Sequence, residues 1–362
     1  MTRWERGVLH RGADFASCWT RNRKDPVLFV AGSGFDPRGT ASLEALLKVS
    51  PRQVDLVVID LPDAATDPAV RPRAEANRSQ LIDLAETAGG AVMVHEVPEH
   101  SDRGALGRLV SHQFQRAGLL TKYAEIVIDI SALPRGVFFP LVRGVLQQAH
   151  RAEGDGRRWN GDLHVAVCEN PEIDAAIRED GTTPMAPIGG FGRPATATSQ
   201  AGTTIWVPIL GENQLARVEV INAELSHDEV CPVLPFPSAD PRRGDRLVLE
   251  YRPLLFGEIE IEPRNVIYAH ERNPFDLYRT LGLLHQRYRR ALEVLGDVSM
   301  VLSSHSSKLL SMGVLLTGYE YQLEVQNVSP TLYGLHDEAE IDALRNADEL
   351  FDLWLTGEPH AA

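Results

Sequence analysis

Short β-branched runs alternate along this chain with longer segments of helical period. In the first half, Val27–Ala31, Val54–Asp60, Ala91–Val97, Ile126–Ile130 and Leu163–Cys168 predict strands. Between them, Ala41–Lys48, Arg71–Ala88, Gly104–Ala117 and Gly136–Arg151 predict helices. The last of these, GVFFPLVRGVLQQAHR, is apolar nearly all round and should be buried, with Pro140 close to its first turn, where proline is best tolerated. A second series follows. Its strands are Thr204–Leu210, Val230–Leu234, Asn265–Ala269, Val298–Ser303 and Leu323–Val328; its helices are Asn213–Leu225, Asp245–Leu255, Pro274–Leu295 and Ser307–Tyr319. Pro253 falls inside the second helix, so RLVLEY could equally be a strand.

Strand–helix alternation of this kind builds a mainly parallel sheet covered by helices. Between the two series, residues 171–202 are rich in Gly, Pro, Thr and Ala and predict a linker or loop. The tail DEAEIDALRNADELFDLWL, Asp337–Leu355, predicts an acidic amphipathic helix with Ile341, Leu344, Phe351, Trp354 and Leu355 on its apolar side. The expected fold is α/β: two Rossmann-like lobes with mainly parallel sheets, residues 1–170 and 203–336, joined by 171–202 and followed by a C-terminal acidic helix in 337–362. SGFDPRG at 33–39 and SADPRRG at 238–244 each follow an expected strand and precede a helix, a faint internal echo that suggests duplication.

Composition narrows the function. The chain of 362 residues carries 36 Lys+Arg against 50 Asp+Glu, a net charge of −14. That balance excludes a non-specific nucleic-acid or anionic-membrane surface but not a local basic pocket. Eight of the acids and one base, Arg345, fall in residues 337–362, which therefore hold half of the net charge. Only Lys24, Lys48, Lys122 and Lys308 are lysines; the other basic residues are arginines. Cys18, Cys168 and Cys231 are far apart, and no local Cys or His spacing matches a metal site, which points to a reducing cytoplasm. No run of about 18 apolar residues is present, and MTRWERGVLHRG lacks an apolar signal core, so a soluble cytoplasmic protein is expected.

Candidate chemistry gathers where expected strands turn into helices. In VLFVAGSGFDPRGT, Gly32, Ser33 and Gly34 permit a tight turn and close approach to backbone N–H groups, Asp36 is placed to cap a helix, and Arg38 could clamp a phosphate or carboxylate. The third glycine of a dinucleotide fingerprint is replaced by Pro37, and no GK[ST] follows. In EIVIDISALPRG, Asp129 and Ser131 end a buried strand and Arg135 opens the next helix. In SSHSSK, Ser303, Ser304, His305, Ser306, Ser307 and Lys308 would form an anion cradle at a helix start, and Arg242 sits at a similar junction. Each group has a structural alternative: caps and turns of solvated loops. Paired carboxylates could be drawn from Asp36, Asp60, Asp129 and Asp276, but no spacing singles out a pair.

The segments GSGFDPR, DISALPRG and SSHSSKLLSMG, set in Rossmann-like units, resemble those of nucleotide-sensing proteins of prokaryotic defence systems, the CRISPR-associated Rossmann-fold (CARF) class. The resemblance implies a cyclic-oligonucleotide ligand contacted by residues 129–136 and 303–308. The expected function is a ligand sensor for a small anion, a nucleotide by preference, of a bacterial antiviral system, acting with a protein partner or as a homo-oligomer; no cofactor is identified. A nucleotide hydrolase using Asp129 or Asp36 as base, and a non-catalytic subunit docked through the acidic tail, are the alternatives.

Overall fold

The structure is a computed structural model that describes residues 3–20, 25–50, 52–61, 66–97, 103–151, 158–193, 202–292, 296–338 and 341–360. Its chain divides into two compact units, one of Arg6–Gly181 with Pro330–Ala362, the other of Met1–Glu5 with Thr182–Ser329. Both are α/β, with mainly parallel sheets.

The first unit holds a sheet of β1 (Val8–Arg11), β2 (Val27–Ser33), β3 (Val54–Asp60), β4 (Val92–Glu96), β5 (Glu125–Asp129), β6 (Asp162–Glu169) and β16 (Glu349–Trp354), in the order β1-β16-β6-β5-β2-β3-β4. Strands β2 to β6 are parallel, and counted from β2 their order is 3-2-1-4-5, that of a Rossmann-like half. β16 and β1 extend the β6 edge antiparallel. Because β2 and β5 are buried along their whole length, the sheet is covered on both faces, which is why these strands read as continuous apolar runs. Helices α1 (Ala13–Cys18), α2 (Ala41–Val49) and α3 (Arg71–Thr87) supply Phe15, Leu43, Leu46 and Leu81 to the core beside Phe29 and Leu56. α4 (Arg103–Arg116), α5 (Leu119–Lys122) and α6 (Arg135–Ala149) follow; α6 is buried on nearly every side, as its sequence predicts.

In the second unit the sheet order is β12-β11-β9-β13-β14-β8, with β10 also on β9. These are β8 (Ala186–Pro187), β9 (Thr203–Ile209), β10 (Glu229–Val230), β11 (Val233–Pro235), β12 (Ile267–Ala269), β13 (Val298–Ser304) and β14 (Glu324–Asn327). β10 and β11 lie along the same edge of β9 and form one interrupted strand, so the parallel order is again 3-2-1-4-5. Helices α8 (Leu215–Glu224), α9 (Arg243–Arg252), α10 (Pro274–Leu292) and α11 (Lys308–Tyr321) connect them. RLVLEY is helical: α9 runs to Arg252, and Pro253 begins a π turn over Pro253–Glu258 that buries Leu254 and Leu255. The expected end of α10 at 293–295 lies outside the described residues.

One sequence device starts helical turns in both units. Asp36, Asp67, Asn170, Asp240 and Asn273 each precede a proline, and each accepts a hydrogen bond from the backbone N–H two residues on, at 2.9–3.1 Å. The side chain satisfies a donor the helix leaves open, and proline presets φ where no N–H is needed. This explains the DPR echo without duplication. Asp36 follows the first parallel strand of its sheet, whereas Asp240 follows the second, so the two segments share turn chemistry and not a topological position.

Two expectations are corrected. The tail is not a helix. Its described part forms a 3₁₀ turn at Ala343–Ala347 and then β16, inserted between β1 and β6; residues 339–340 lie outside the described residues. Phe351, Asp352, Leu353 and Trp354 are all buried, so LFDLW is a two-face-buried strand, a short apolar run that periodicity alone does not distinguish from a helix face. Burial pushes the Asp352 carboxyl up, but the imidazoles of His164 and His10 outweigh it and hold the carboxyl below its ordinary range. The expected linker is also partly ordered, as α7 (Pro171–Ala176), β7 (Ile177–Asp180) and β8; β7 pairs antiparallel with β15 (Leu332–Leu335). Residues 194–201 lie outside the described residues.

No helix among the described residues is long and apolar enough to cross a membrane. Deleting residues 349–362 removes an internal strand and should abolish soluble, cooperatively unfolding protein. Denaturant unfolding monitored by circular dichroism checks this; an unchanged transition would contradict the placement of β16.

Candidate functional site

In an open parallel sheet, ligands bind beyond the carboxyl ends of the strands, near the point where strand order reverses. In the first unit that point lies between β2 and β5, and the fold does bring together there most of the residues singled out in sequence. It also fills the space between them. A Cβ added to Gly32 would lie 2.5 Å from Leu133 Cδ2, and one on Gly39 would lie 3.2 Å from Ala132 Cβ. Gly32 therefore admits the loop after β5 rather than a ligand. Ser131 is fully buried, and its Oγ accepts the Cys168 N–H at 2.8 Å; Asp129, 1% exposed, accepts the Ser131 N–H at 2.7 Å. Arg135 is half-buried at the start of α6.

Arg38 is corrected from ligand clamp to internal tie. It is 2% exposed, and its Nε and Nη2 grip both oxygens of Asp36 at 2.9 and 2.7 Å, while Nη1 reaches Asp174 at 2.8 Å. Burial would lower the guanidinium pKa, but Asp36 and Asp174 raise it well above its ordinary value, so the charge stays in place. The bidentate fork foreseen for a phosphate is taken up by the protein's own carboxylate. Asp36 and Asp129 are thereby removed as exposed bases for a hydrolase.

The second unit repeats this arrangement between β9 and β13. A Cβ on Gly211 would fall 2.3 Å from the His305 carbonyl oxygen, so the two loops are in contact. Ser303, Ser304, His305 and Ser306 are all buried. Ser303 Oγ takes the Trp206 indole N–H at 3.0 Å and lies 3.0 Å from His305 Nε2; Ser304 bonds Ser311 at 2.9 Å. Ser307 caps α11 through the Leu310 N–H, and Lys308, half-buried, is the first residue of that helix. Among the hydroxyls foreseen as an anion cradle, those of Ser303, Ser304 and Ser307 thus tie the loop to the strand and helix beneath it. Arg242 is exposed at the start of α9. Its neighbour Arg243 clasps Glu212 at 2.6 and 2.7 Å and Glu271 at 2.5 Å, joining the loops after three parallel strands.

Open space lies one strand further along in the first unit. A cavity of ≈ 380 Å³ is bounded by Ser33 at the end of β2, Asp60 and Leu61 at the end of β3, and Arg71, Glu75 and Arg78 of α3. Its volume is within the range of small-molecule sites, roughly 300–1,000 Å³. Ser33 Oγ donates to Asp60 Oδ1 at 2.5 Å, and Arg78 Nε stands 3.6 Å from Asp60 Oδ2. That Nε is buried without a hydrogen-bond partner among the described residues. Arg71 and Arg78, seven residues apart, share one face of α3, with Arg71 in its first turn, where the helix dipole also favours an anion. Two cations, two carboxylates and a hydroxyl thus line one cavity, with Glu75 Oε1 3.7 Å from Arg78 Nη1. Ser33 was foreseen here, and Asp60 only as a spare carboxylate. Arg71 and Arg78 are not singled out by the sequence, although their seven-residue spacing places them on one face of the expected helix.

No family model matches the chain, and no curated protein does. Among solved structures, a Pseudomonas aeruginosa UCBPP-PA14 protein described as a universal stress protein is similar at 13% identity and a TM-score of 0.24, over 89% of this chain and 97% of that one. The strand orders given above define the fold independently of it.

The two arginine environments predict opposite phenotypes. Arg38→Ala leaves Asp36 buried and uncompensated and should cost about 3–5 kcal/mol of stability. Arg78→Ala, on a partly exposed ion pair, should cost under ~1 kcal/mol. Urea denaturation of both variants checks the contrast.

Proposed function

We propose that the protein binds a small anionic ligand bearing hydroxyl groups, a nucleotide being the class that fits best, in the cavity beyond β2 and β3. The observation that carries this reading is the cavity itself: Arg71 and Arg78 for negative charge, Asp60 for hydroxyl donors, and Ser33 between them. Asp60 ends the second strand of a 3-2-1-4-5 sheet, where an acidic residue in dinucleotide-binding units accepts ribose hydroxyls. Arg78, ion-paired with Asp60 at 3.6 Å but with its Nε making no hydrogen bond among the described residues, would offer its guanidinium to a phosphate oxygen.

The reading is of a sensor rather than an enzyme, because the carboxylates offered as bases, Asp36 and Asp129, are tied to Arg38 and to the loop backbone. Burial, chiefly, also pushes the Cys168 thiol well up, which suits a packed side chain and not a nucleophile. Three cysteines, all free and buried, fit a reducing cytoplasm. The resemblance to defence-system sensors sets the choice of ligands to test, with cyclic oligonucleotides beside mono- and dinucleotides.

Thermal unfolding with such a panel tests the proposal. A ligand at a hundred times its Kd should stabilise the protein by about 2.7 kcal/mol. Arg78→Ala and Asp60→Asn should each remove the shift while leaving the unliganded transition nearly in place. A panel with no shift, or a shift that both variants retain, would overturn the assignment. Appearance of a hydrolysed product would replace the sensor by an enzyme.

A further inference from the structure

Four side chains outside that cavity meet near the sheet edge of the first unit. His10 on β1 pairs directly with Asp352 on β16, His164 lies on β6, the next strand, and Cys18 is the last residue of α1. The Asp352 side chain is completely buried. Its Oδ2 is a common vertex, 2.9 Å from His10 Nδ1 and 3.8 Å from Cys18 Sγ; His164 Nδ1 lies 3.0 Å from both carboxylate oxygens. One donor atom each of His10, Cys18 and Asp352 falls within 4.8 Å of the other two. Trp354 stacks on the His164 ring with centroids 4.9 Å apart, and Trp19 packs on it at 4.7 Å, fixing its orientation.

We propose that His10 Nδ1, Cys18 Sγ and Asp352 Oδ2 bind one divalent transition-metal ion of the zinc type, with His164 holding the carboxylate in place. An N, S, O donor set selects zinc or cobalt over magnesium or calcium, which take oxygen ligands. Around a tetrahedral ion with metal–ligand bonds of about 2.0–2.3 Å, adjacent donor atoms stand roughly 3.2–3.6 Å apart. The two separations from Asp352 Oδ2, 2.9 and 3.8 Å, bracket that range, and the third donor pair lies within 4.8 Å, so side-chain adjustment is needed to seat the ion. Three protein ligands leave one position for water, and His10, with its side chain 19% exposed, gives the ion a route in. Ligating carboxylates are themselves hydrogen-bonded by outer-shell groups, the part His164 would take here.

On binding, the Cys18 thiol releases its proton to solvent and gives up its 3.1 Å contact with the Phe15 carbonyl, and His10 ligates as the tautomer protonated on Nε2. The site forms only when β16 lies beside β1, so the ion binds the folded state and clasps together strands from the two ends of the chain. Its ligands, at positions 10, 18 and 352, have no local spacing to betray them, and a search for HxxxH or CxxC patterns passes over them.

Cobalt titration of the full-length protein, stripped with a chelator, tests this. The expected result is one equivalent of Co²⁺ with tetrahedral visible absorption and a thiolate-to-cobalt charge-transfer band, both abolished by Zn²⁺ competition. Cys18→Ser should lose the charge-transfer band, and His10→Ala should weaken binding at least tenfold, with unchanged far-UV circular dichroism. His112→Ala, on the exposed side of α4, should change neither. If the variants fail to fold, X-ray absorption of the wild-type cobalt complex decides, with one sulfur in its first shell expected. Absence of stoichiometric uptake by the folded wild type, uptake unaffected by both substitutions, or a first shell without sulfur would overturn the site.

Discussion

A parallel sheet of order 3-2-1-4-5 opens at the point where its crossover connections run in opposite directions, and in both units of this protein the chain fills that opening itself. Gly32 receives Leu133 in one unit, and Gly211 receives the His305–Ser306 backbone in the other. Once these contacts form, the polar groups buried beside them turn to internal partners. Asp129, Ser131, Ser303, Ser304 and His305 are the result: hydroxyls, a carboxylate and an imidazole at strand ends that bond their own loops. Features that resemble a ligand cradle in sequence are therefore the lining of a sealed joint. The candidate site is displaced by one strand, to the space bounded among the described residues by the ends of β2 and β3 and by α3.

The same logic of compensation governs the buried ions. Arg38 with Asp36, and the Asp352 carboxylate beside His10 and His164, place charge almost wholly out of water. Such groups are tolerated only with close partners, and removing one partner costs more than the pair contributes. Each set links distant parts of the sequence. Arg38 reaches Asp174 beyond β6, and Asp352 draws the last strand of the chain between the first strand and β6. The acidity of the tail does not oppose this: Asp337, Glu338 and Asp342 are exposed, and the one buried carboxylate of β16, Asp352, is held by imidazoles.

What could be read from the sequence follows from the range of the forces involved. The ten strands and eight helices expected in the two series all occur, because apolar periodicity, β-branching and the Asx-Pro starts act within a few residues. The short elements β1, α1, β7 and β15 are not legible because four to six residues are too brief to stand out, and the three strands are defined by pairing with a distant partner. LFDLW was legible as apolar but not as strand, since a helix face and a short buried strand share that pattern. Ser33 was found because glycine and serine after a strand carry local meaning. Arg71 and Arg78 were not, because their meaning comes from Asp60 on another element.

The sequence by itself therefore determined the class of architecture, two series of strand and helix, and the junctions where polar groups collect. The tertiary structure decided which of those junctions are open and which are sealed, that the end of the chain returns as a strand into the first sheet, and that His10, Cys18 and Asp352 meet. The division is physical. Hydrophobic pattern and turn chemistry are local and additive along the chain, whereas the filling of a crevice, or the neutralisation of a buried charge, depends on groups brought within a few ångströms across hundreds of residues.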